Sequence, residues 1–274
     1  MVPVSDCDAM IDSASTTDPA VAVLIAWFSD QGADFPWRQS RDRYAVLVAE
    51  VQLQSTQVAR VVPYFERWMA RWPTVDTLAN APLAEVLSAW QGLGYPRRAR
   101  NLHRAAQMIC TEGWPPADRL TDLPGVGPYT AAALRCFADE EPVLPIDVNV
   151  ARVLARRFPD GWPGTPDGDG WTIGQALMDV GREWCTQRAP RCGSGCPLRD
   201  GCVAAESGHP ELLAPTRRRQ SAFAGSMRQR RGVLMRAMTS DGSVPIVQDI
   251  DAAVSLVADG LAREDGDLLR LPVD

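Results

Sequence analysis

The sequence contains no lysine: all 28 of its basic residues are arginine. Schiff-base catalysis by a side-chain amine is therefore excluded, and only the N-terminal amine remains for that chemistry. The sequence also lacks any apolar run of the ~20 residues that a membrane-spanning helix requires. Its N-terminal segment is acidic and polar, unlike a secretory signal peptide. We therefore expect a cytoplasmic protein that has no membrane partner.

Cysteine is scarce and unevenly distributed. Disulfide frameworks are typical of short secreted chains, whereas this chain has 274 residues and an N-terminus unlike an export signal. A metal site is therefore favoured over disulfides, and zinc and iron–sulfur both stay open. Four of the seven cysteines fall within 18 positions and are the candidate ligands: Cys185, Cys192, Cys196 and Cys202. The other three are interpreted as unligated thiols: Cys7, Cys110 and Cys136.

The net charge of −6 conceals a basic middle region. Residues 1–34 carry six aspartates and no arginine, and residues 241–274 carry eight acidic residues and two arginines. Residues 35–240 hold twenty acidic residues and twenty-six arginines. Because a polyanion responds to the local field, this middle region is compatible with nucleic-acid binding. The arginine-rich stretch 217–231 predicts either a solvated tail or a phosphate-binding segment.

The apolar pattern predicts a mostly α protein. Alternating β patterns are nearly absent before residue 240, and apolar residues recur every three to four positions. We expect the segment 44–72 to form two helices that break near Pro63. After residue 231, the order of helix, short strand, helix and terminal hairpin predicts a small winged-helix-like module. The segments with helical spacing before it are 21–32, 44–72, 82–94, 97–113, 129–140, 148–158 and 172–185.

The stretch LTDLPGVGPYTAAAL, residues 120–134, predicts a tight hairpin between two helices. Gly125 and Gly127 would leave backbone N–H groups uncovered, and the helix starting at Pro128 would add its positive dipole end. Such a turn is suited to a DNA phosphate, which positions the duplex without reading its sequence. An ordinary helical hairpin is the alternative interpretation.

Two carboxylates stand out in helical segments. Asp147 precedes a helix whose first turn contains Asn149, so it could simply cap that helix, or it could stabilise a developing sugar cation. Glu50 is a single acid inside an otherwise apolar helical segment. Buried lone acids are rare, and desolvation would raise the pKa of Glu50 toward the range of a general acid.

These motifs in their order resemble the helix-hairpin-helix DNA glycosylase superfamily, through LPGVGPYTAAAL followed by Asp147. FPWR, EVQLQSTQV, PYFERWMARWPTV, GLGYPRRARNLH and the cysteine cluster resemble its adenine DNA glycosylase (MutY) branch. The similarity runs from about residue 20 to residue 205, roughly two thirds of the chain. It implies double-stranded DNA containing a mismatch or lesion as the partner, and a monomeric protein.

The resemblance implies a fold of two helical domains with DNA in the cleft between them. Residues 44–143 would form a six-helix barrel that contains the hairpin. Residues 20–43 and 144–205 would form a domain that holds a [4Fe–4S] cluster on the four clustered cysteines. The family spacing is C-x6-C-x2-C-x5-C, whereas this chain has C-x6-C-x3-C-x5-C, with one residue more in GSG. Residues 206–274 would be the arginine-rich linker and the C-terminal module.

The resemblance also implies residue roles. Glu50 corresponds to the acid that protonates adenine, and Asp147, with Asn149 beside it, to the aspartate that stabilises the oxocarbenium-like sugar. Tyr129 stands where adenine glycosylases carry Tyr or Ser and the endonuclease III branch carries Lys, which implies no lyase activity. The implied substrate and DNA contacts comprise the adenine pocket (Trp37, Arg38, Gln175), the QLQSTQ motif (Gln54, Ser55, Thr56), the wedge residue Tyr95 and the hairpin glycines Gly125 and Gly127.

Two departures affect the reading of the base opposite the adenine. The family motif MLQQTQ is QLQSTQ here, so Gln52 replaces a methionine and Ser55 replaces a glutamine that contacts 8-oxoguanine. The residues after 205 are too few for the family's Nudix-like domain.

The resemblance as a whole implies a monofunctional base-excision repair enzyme that removes adenine opposite 8-oxoguanine or guanine. The alternatives are another lesion on the same scaffold (a thymine or uracil mismatch, or a deaminated purine) and a non-catalytic iron–sulfur DNA-binding protein.

Overall fold

The computed structural model of the protein describes residues 18–193, 195–209 and 222–273. Cys7 and residues 217–221 of the arginine-rich stretch lie outside these ranges. The described residues are mostly helical, as the apolar spacing predicts, and none of their helices is long and apolar enough to cross a membrane. The α-helices within these ranges are α1 (Pro19–Gln31), α2 (Arg43–Leu53), α3 (Val58–Arg71), α4 (Val75–Ala79), α5 (Leu83–Ala89), α6 (Arg97–Glu112), α7 (Pro128–Phe137), α8 (Val148–Arg157), α9 (Gly170–Glu183), α10 (Val203–Glu206), α11 (Met227–Asp241) and α12 (Ile250–Ala258).

The larger hydrophobic core lies among helices α2 to α7. Two of its tryptophans pack edge to face against Trp68, with ring centroids 4.8 Å away for Trp72 and 5.5 Å away for Trp90. Tyr44 at the start of α2 donates its hydroxyl to the Trp72 carbonyl oxygen at 2.8 Å. This contact satisfies a buried polar group and fixes α2 against the end of α3.

The predicted hairpin is present between a 3-10 helix (Ala117–Asp122) and α7. The Val126 N–H donates to the Leu123 carbonyl at 3.0 Å, which closes the turn. Gly125 has φ +83°, and a Cβ there would lie 3.0 Å from the Cβ of Asn101, so only glycine suits the position. Helix α7 then begins at Pro128, where the missing N–H leaves no intrahelical bond unmade.

A second core joins α1, α8 and α9. Its fully buried residues include Leu24 of α1, Val153 of α8, and Ile173 and Leu177 of α9. Helix α1 begins after Asp18, whose side chain accepts from the Ala20 N–H at 2.8 Å, and it ends before Gly32 as the sequence predicts. The two cores place the ends of α2 and α7 opposite α8 and α9, where an open cleft lies.

The C-terminal residues form a compact module with the predicted order of elements. After α11 come β1 (Val244–Pro245), a 3-10 helix (Ile246–Gln248), α12, β2 (Arg263–Asp265) and β3 (Leu268–Arg270). The strands form an antiparallel sheet in the order β1-β3-β2, with Leu269 opposite Val244 and Glu264. Its buried side chains, among them Leu234, Met238 and Leu256, belong to the larger core. The module therefore packs onto the helices of that core.

The predicted break near Pro63 is wrong. The two helices separate at residues 54–57, and Pro63 lies inside α3. The loss of one helical hydrogen bond is tolerable there because Pro63 and Ala59, whose carbonyl would have accepted it, are both exposed to water. The actual break contains Ser55 at φ +56°, a left-handed conformation that ends α2.

Candidate active site

An open cleft of about 1150 Å3 lies between the α2 and α7 ends and helices α8 and α9. Its size suits a nucleotide, and its walls combine apolar side chains with a small number of charged and amide groups. Ten of the residues predicted from the sequence line it: Trp37, Arg38, Glu50, Gln54, Ser55, Thr56, Tyr129, Asp147, Asn149 and Gln175. Of the predicted catalytic, substrate and DNA contacts, Tyr95, Gly125 and Gly127 do not line it and lie in two separate turns.

Glu50 is a buried acid in the lining of this cleft. It lies in α2, where the residues around it are buried, and only 6% of its surface is exposed. The pKa of Glu50 is raised from 4.5 to about 7, mainly by burial. Tyr129 and Arg38 lower this pKa, and the negative charge of Asp147 raises it. A carboxyl group with this pKa can donate a proton near neutral pH.

Tyr129 stands beside Glu50 at the start of α7. Its hydroxyl donates to the Met178 sulfur at 3.9 Å and lies near enough to the Glu50 carboxyl for each group to shift the pKa of the other. Burial, together with the nearby carboxylates, raises the pKa of Tyr129 well above its ordinary value. The phenol therefore remains neutral beside the acid, as a hydrogen-bond donor rather than a nucleophile.

Asp147 is held firmly at the N-terminus of α8. Its Oδ1 accepts the backbone N–H groups of Asn149 at 2.8 Å and Val150 at 2.7 Å, and its Oδ2 accepts Asn149 Nδ2 at 2.8 Å. Asp147 thus caps the helix, as the simpler interpretation of the sequence predicts, and it also faces the cleft. Its carboxylate is positioned to stabilise a positive charge in that space.

The opposite wall is organised by Arg38, which is 8% exposed. Its guanidinium forms a bidentate ion pair with Asp179 of α9, with Nη1–Oδ2 at 2.7 Å and Nη2–Oδ1 at 3.0 Å. Its Nε donates to Gln175 Oε1 at 2.7 Å. Trp37 stacks on Phe35 with ring centroids 5.0 Å apart. These contacts fix Gln175 and Arg38 at the floor of the cleft.

Asp179 is a buried residue of this cleft that the sequence interpretation missed. It is 2% exposed, its carboxylate also accepts from the Ala33 N–H at 3.1 Å, and it holds Arg38 in place. A signal for it exists in the sequence, because Gln175 and Asp179 are polar residues one helical turn apart in an otherwise apolar segment. A buried polar pair at that spacing predicts a common partner.

Two turns lie side by side because Arg98 binds both. One contains Gln54, Ser55 and Thr56 between α2 and α3, and the other carries Tyr95. Arg98 Nη2 donates to Thr56 Oγ1 at 3.3 Å and to the Leu93 carbonyl at 2.8 Å, and its Nη1 donates to the Val51 carbonyl at 2.7 Å. Tyr95 is 40% exposed and has φ +49°, so its ring projects from a strained turn. Sequence interpretation did not identify Arg98.

The hairpin glycines lie at the surface beside α7. The Gly127 residue caps α7 with ordinary φ, and a Cβ there would meet no atom within 4 Å. The surface in front of this helix N-terminus is therefore open to an approaching anion. This arrangement can bind a phosphate group without contacting a base.

The four clustered cysteines line one pocket next to α8 and α9. The rest of the wall combines apolar side chains, among them Val153, Val180 and Leu198, with three arginines. One of these, Arg156, donates from Nη1 to Cys185 Sγ at 3.4 Å. Within the described ranges no three His, Cys, Asp or Glu side chains converge closely enough to hold a single ion. Cys110 and Cys136 lie elsewhere, exposed and buried respectively, as free thiols. Four sulfur donors beside arginines suit a soft, multi-atom group that carries negative charge.

Fold and site define a base-excision DNA repair protein of the helix-hairpin-helix class, and residues 48–165 match the family described as "HhH-GPD superfamily base excision DNA repair protein". Among solved structures, a thermostable thymine-DNA glycosylase superposes with a TM-score of 0.61 at 26% identity, covering 68% of this chain and 95% of that one. An endonuclease III in a trapped covalent DNA intermediate superposes with a TM-score of 0.58 at 23% identity, which shows the fold alone. It covers 69% of this chain and 95% of that one.

Curated relatives specify the family. The adenine DNA glycosylase of Mycolicibacterium smegmatis is 37% identical over 276 residues, which cover 89% of this chain and 92% of that protein. The adenine DNA glycosylase of Mycobacterium tuberculosis (strain H37Rv) is 41% identical over 233 residues, 77% of this chain and 76% of that protein. The human adenine DNA glycosylase is 38% identical, with 69% of this chain and 40% of that protein covered. The chain belongs to the adenine DNA glycosylase family.

Proposed function

We propose that the protein removes adenine mispaired with 8-oxoguanine or guanine by hydrolysing its N-glycosidic bond. The observation that carries this proposal is the cleft in which a buried acid, Glu50, with a pKa of about 7 faces Asp147 across a space of nucleotide size. The adenine must leave the base stack to enter that space, which costs least when the base is mispaired.

In the proposed reaction Glu50 donates its proton to a ring nitrogen of adenine. The bond between C1′ and the base then breaks, its electron pair leaves with adenine, and the sugar becomes an oxocarbenium-like cation. The Asp147 carboxylate stabilises that cation, and Asn149 fixes the carboxylate orientation. Water then adds to C1′, and the ionised Glu50 accepts its proton. The products are free adenine and an abasic site.

Trp37, Arg38 and Gln175 form the proposed adenine pocket. The Arg38 Nε–H donates to Gln175 Oε1, which leaves the Gln175 amide nitrogen as a donor toward the base. The ion pair with Asp179 holds Arg38 rigidly, so the pocket needs little reorganisation when the base arrives. Gln54, Ser55, Thr56 and Tyr95 are proposed to contact the region of the opposite base.

Cleavage of the DNA strand is not part of the proposed reaction. A β-lyase step needs an amine nucleophile, and this chain has no lysine, while Tyr129 occupies the hairpin position. We expect an intact strand that carries an abasic site and is cut only after alkali or heat. A covalent complex trapped by borohydride would contradict this expectation, unless it mapped to the amine of Met1.

The cysteine pocket is proposed to hold a [4Fe–4S] cluster on Cys185, Cys192, Cys196 and Cys202. When bound, such a cluster supplies a compact cross-link of four thiolates with tunable charge. Arg156 would donate to the Cys185 sulfur and offset part of that charge. Residues 20–43 with 144–205 would then be the cluster domain and residues 44–143 the barrel domain.

The proposed partner is double-stranded DNA with a mismatch, bound by a monomer. The backbone N–H groups of Gly125 and Gly127 and the start of α7 would hold a phosphate near the cleft. We expect an enzyme with this substrate to be located at the chromosomal DNA. Endonuclease III, which shares the fold, has been solved in complexes with DNA.

The test is a panel of single-turnover assays on duplexes that carry adenine opposite 8-oxoguanine, guanine or thymine. A thymine opposite guanine belongs in the panel, because a thymine-DNA glycosylase superposes at 26% identity. We expect base release only from adenine opposite 8-oxoguanine and guanine. Release of thymine alone would replace the proposal by the other-lesion function. Release from none of these duplexes would refute adenine removal and leave a uracil or deaminated-purine substrate and a non-catalytic DNA-binding protein as the alternatives.

A further inference from the structure

The turn that carries Tyr95 is covered on one side by the C-terminal module. The Gln91 side chain, at the start of this turn, donates from Nε2 to the Met235 carbonyl at 3.2 Å and to Thr239 Oγ1 at 3.0 Å. Trp90 and Leu93 belong to the same hydrophobic core as buried residues of α11. The module therefore supports the turn through both polar and apolar contacts.

A side chain of the module reaches the tip of Tyr95 itself. Arg228, in the first turn of α11, donates from Nη1 to Tyr95 Oη at 3.1 Å. On the inner side of the turn, the Arg98 guanidinium lies 5.8 Å from the centroid of the Tyr95 ring. Tyr95 is thus held between an arginine of α6 and an arginine of the module.

The position of Arg228 is itself defined by local structure. Ser226 caps α11 by accepting from the Gln229 N–H, and the Gln229 side chain accepts from the Gly225 N–H at 2.7 Å. The Arg228 guanidinium lies 5.9 Å from the centroid of the Phe223 ring. These contacts define the start of α11, from which the Arg228 side chain extends to the Tyr95 hydroxyl.

We propose that Arg228 is a positioning residue that couples the C-terminal module to the wedge Tyr95 and thereby to the reading of the opposite base. The proposal rests on the proposed function, because it takes Tyr95 as the residue that enters the base stack. A left-handed φ of +49° disfavours the observed conformation of Tyr95, and a hydrogen bond at Oη counteracts that strain. The ring is then oriented before the DNA arrives.

The similarity to the relative from Mycolicibacterium smegmatis includes part of this module. Its match covers 89% of this chain, more than residues 1–221 alone could supply. The match therefore extends into the C-terminal module. If the module only covered the hydrophobic core, a charged contact with the exposed Tyr95 hydroxyl would not be needed. The Arg228 contact orients that hydroxyl group.

The experiment compares Arg228→Gln with Arg236→Gln, a matched change at an exposed arginine of the same helix. The probe is a duplex with 2-aminopurine beside the position opposite the target adenine, because its fluorescence rises when the wedge unstacks it. We expect Arg228→Gln to reduce the unstacking signal. It should also reduce the ratio of the single-turnover rates opposite 8-oxoguanine and opposite guanine by about three- to tenfold, which corresponds to the loss of one hydrogen bond. Arg236→Gln should match the wild type.

Two further variants separate positioning from a merely structural role. Tyr95→Phe keeps the ring and removes Oη, so it should reproduce the Arg228→Gln effect, and the double variant should lose no more than either single one. Arg228→Lys retains a charged donor on a longer side chain than glutamine and should restore part of the signal. Wild-type unstacking and rate ratio in Arg228→Gln, or full additivity with Tyr95→Phe, would overturn the proposal.

The fluorescence signal separates this proposal from the proposed function. If wild-type protein released no adenine from any duplex but unstacked the probe in an Arg228-dependent manner, the positioning role would stand and the proposed reaction would fail. If adenine release were normal and unstacking did not depend on Arg228, the proposed reaction would stand and the positioning role would fail.

Discussion

Asp147 and Asn149 bind each other twice at the start of α8. The backbone N–H of Asn149 donates to Asp147 Oδ1 at 2.8 Å, and its side-chain Nδ2 donates to Asp147 Oδ2 at 2.8 Å. Both oxygens of the carboxylate are therefore oriented by one neighbour. The same residue caps a helix and faces the cleft, so its two roles can be separated by mutation.

The first prediction separates these roles. Asp147→Asn keeps an oxygen that can cap α8, so thermal stability should stay close to the wild type while adenine release falls about 100-fold or more. Asp147→Ala should lose the activity and also about 1 kcal/mol of stability, because the cap is gone. Single-turnover kinetics and thermal unfolding of both variants check this. Near-normal rates for Asp147→Asn would refute the assigned role.

The second prediction concerns the pH dependence of base release. Because Glu50 must be protonated to act as the acid and its pKa is about 7, the single-turnover rate should be level below that pH. Above it the rate should fall about tenfold per pH unit. Glu50→Gln should be almost inactive at every pH and should still bind a mismatched duplex. A wild-type rate that rises with pH between 6 and 9 would contradict an acid role for Glu50.

The third prediction concerns stability rather than rate. The folded-state pKa of Glu50 is raised from 4.5 to about 7. Ionising Glu50 therefore costs about 3 kcal/mol more in the folded protein than in the unfolded chain. Its contribution to stability is therefore fully present below the unfolded pKa and is lost as the pH rises through about 7. Glu50→Gln has no such loss and should unfold at a higher temperature than wild type at pH 8, with a smaller difference at pH 5. Equal differences at the two pH values would rule this linkage out.

The fourth prediction concerns Gln52, which is fully buried in α2. Neither its amide nitrogen nor its amide oxygen has a hydrogen-bond partner among the residues that the structure describes. Gln52→Met removes that desolvation cost at similar volume, so the free energy of unfolding should rise by about 1–3 kcal/mol. Gln54→Met, at a partly exposed residue of the cleft, should bring no such gain. A lower melting temperature for Gln52→Met would show that the amide is satisfied in solution.

The fifth prediction concerns the metal. Purified anaerobically, the protein should be brown and contain about four iron atoms per chain. Cys196→Ser should lose most of the iron, whereas Cys110→Ser, at an exposed free thiol, should retain it. Iron and zinc analysis of the three proteins decides the matter. Stoichiometric zinc without iron would replace the cluster by a zinc site, in spite of the separation of the four cysteines.

Features with a local cause were determined by the sequence itself. The hairpin at Gly125, the cap at Asp147 and the start of α7 at Pro128 depend on residues within a few positions of one another. The order of elements in the C-terminal module follows from its apolar spacing in the same way. The break between α2 and α3 was misplaced because Pro63 signals strongly in sequence, while its exposure, which makes it tolerable, depends on the fold.

The tertiary structure decided which distant side chains meet. Arg38 and Asp179 are 141 positions apart, and Arg228 and Tyr95 are 133 positions apart, so neither pair follows from local spacing. The acidity of Glu50 was likewise decided there, because only packing removes water from its carboxyl group and raises its pKa to about 7. Sequence specifies which groups are available, whereas burial and contact between helices determine their energies.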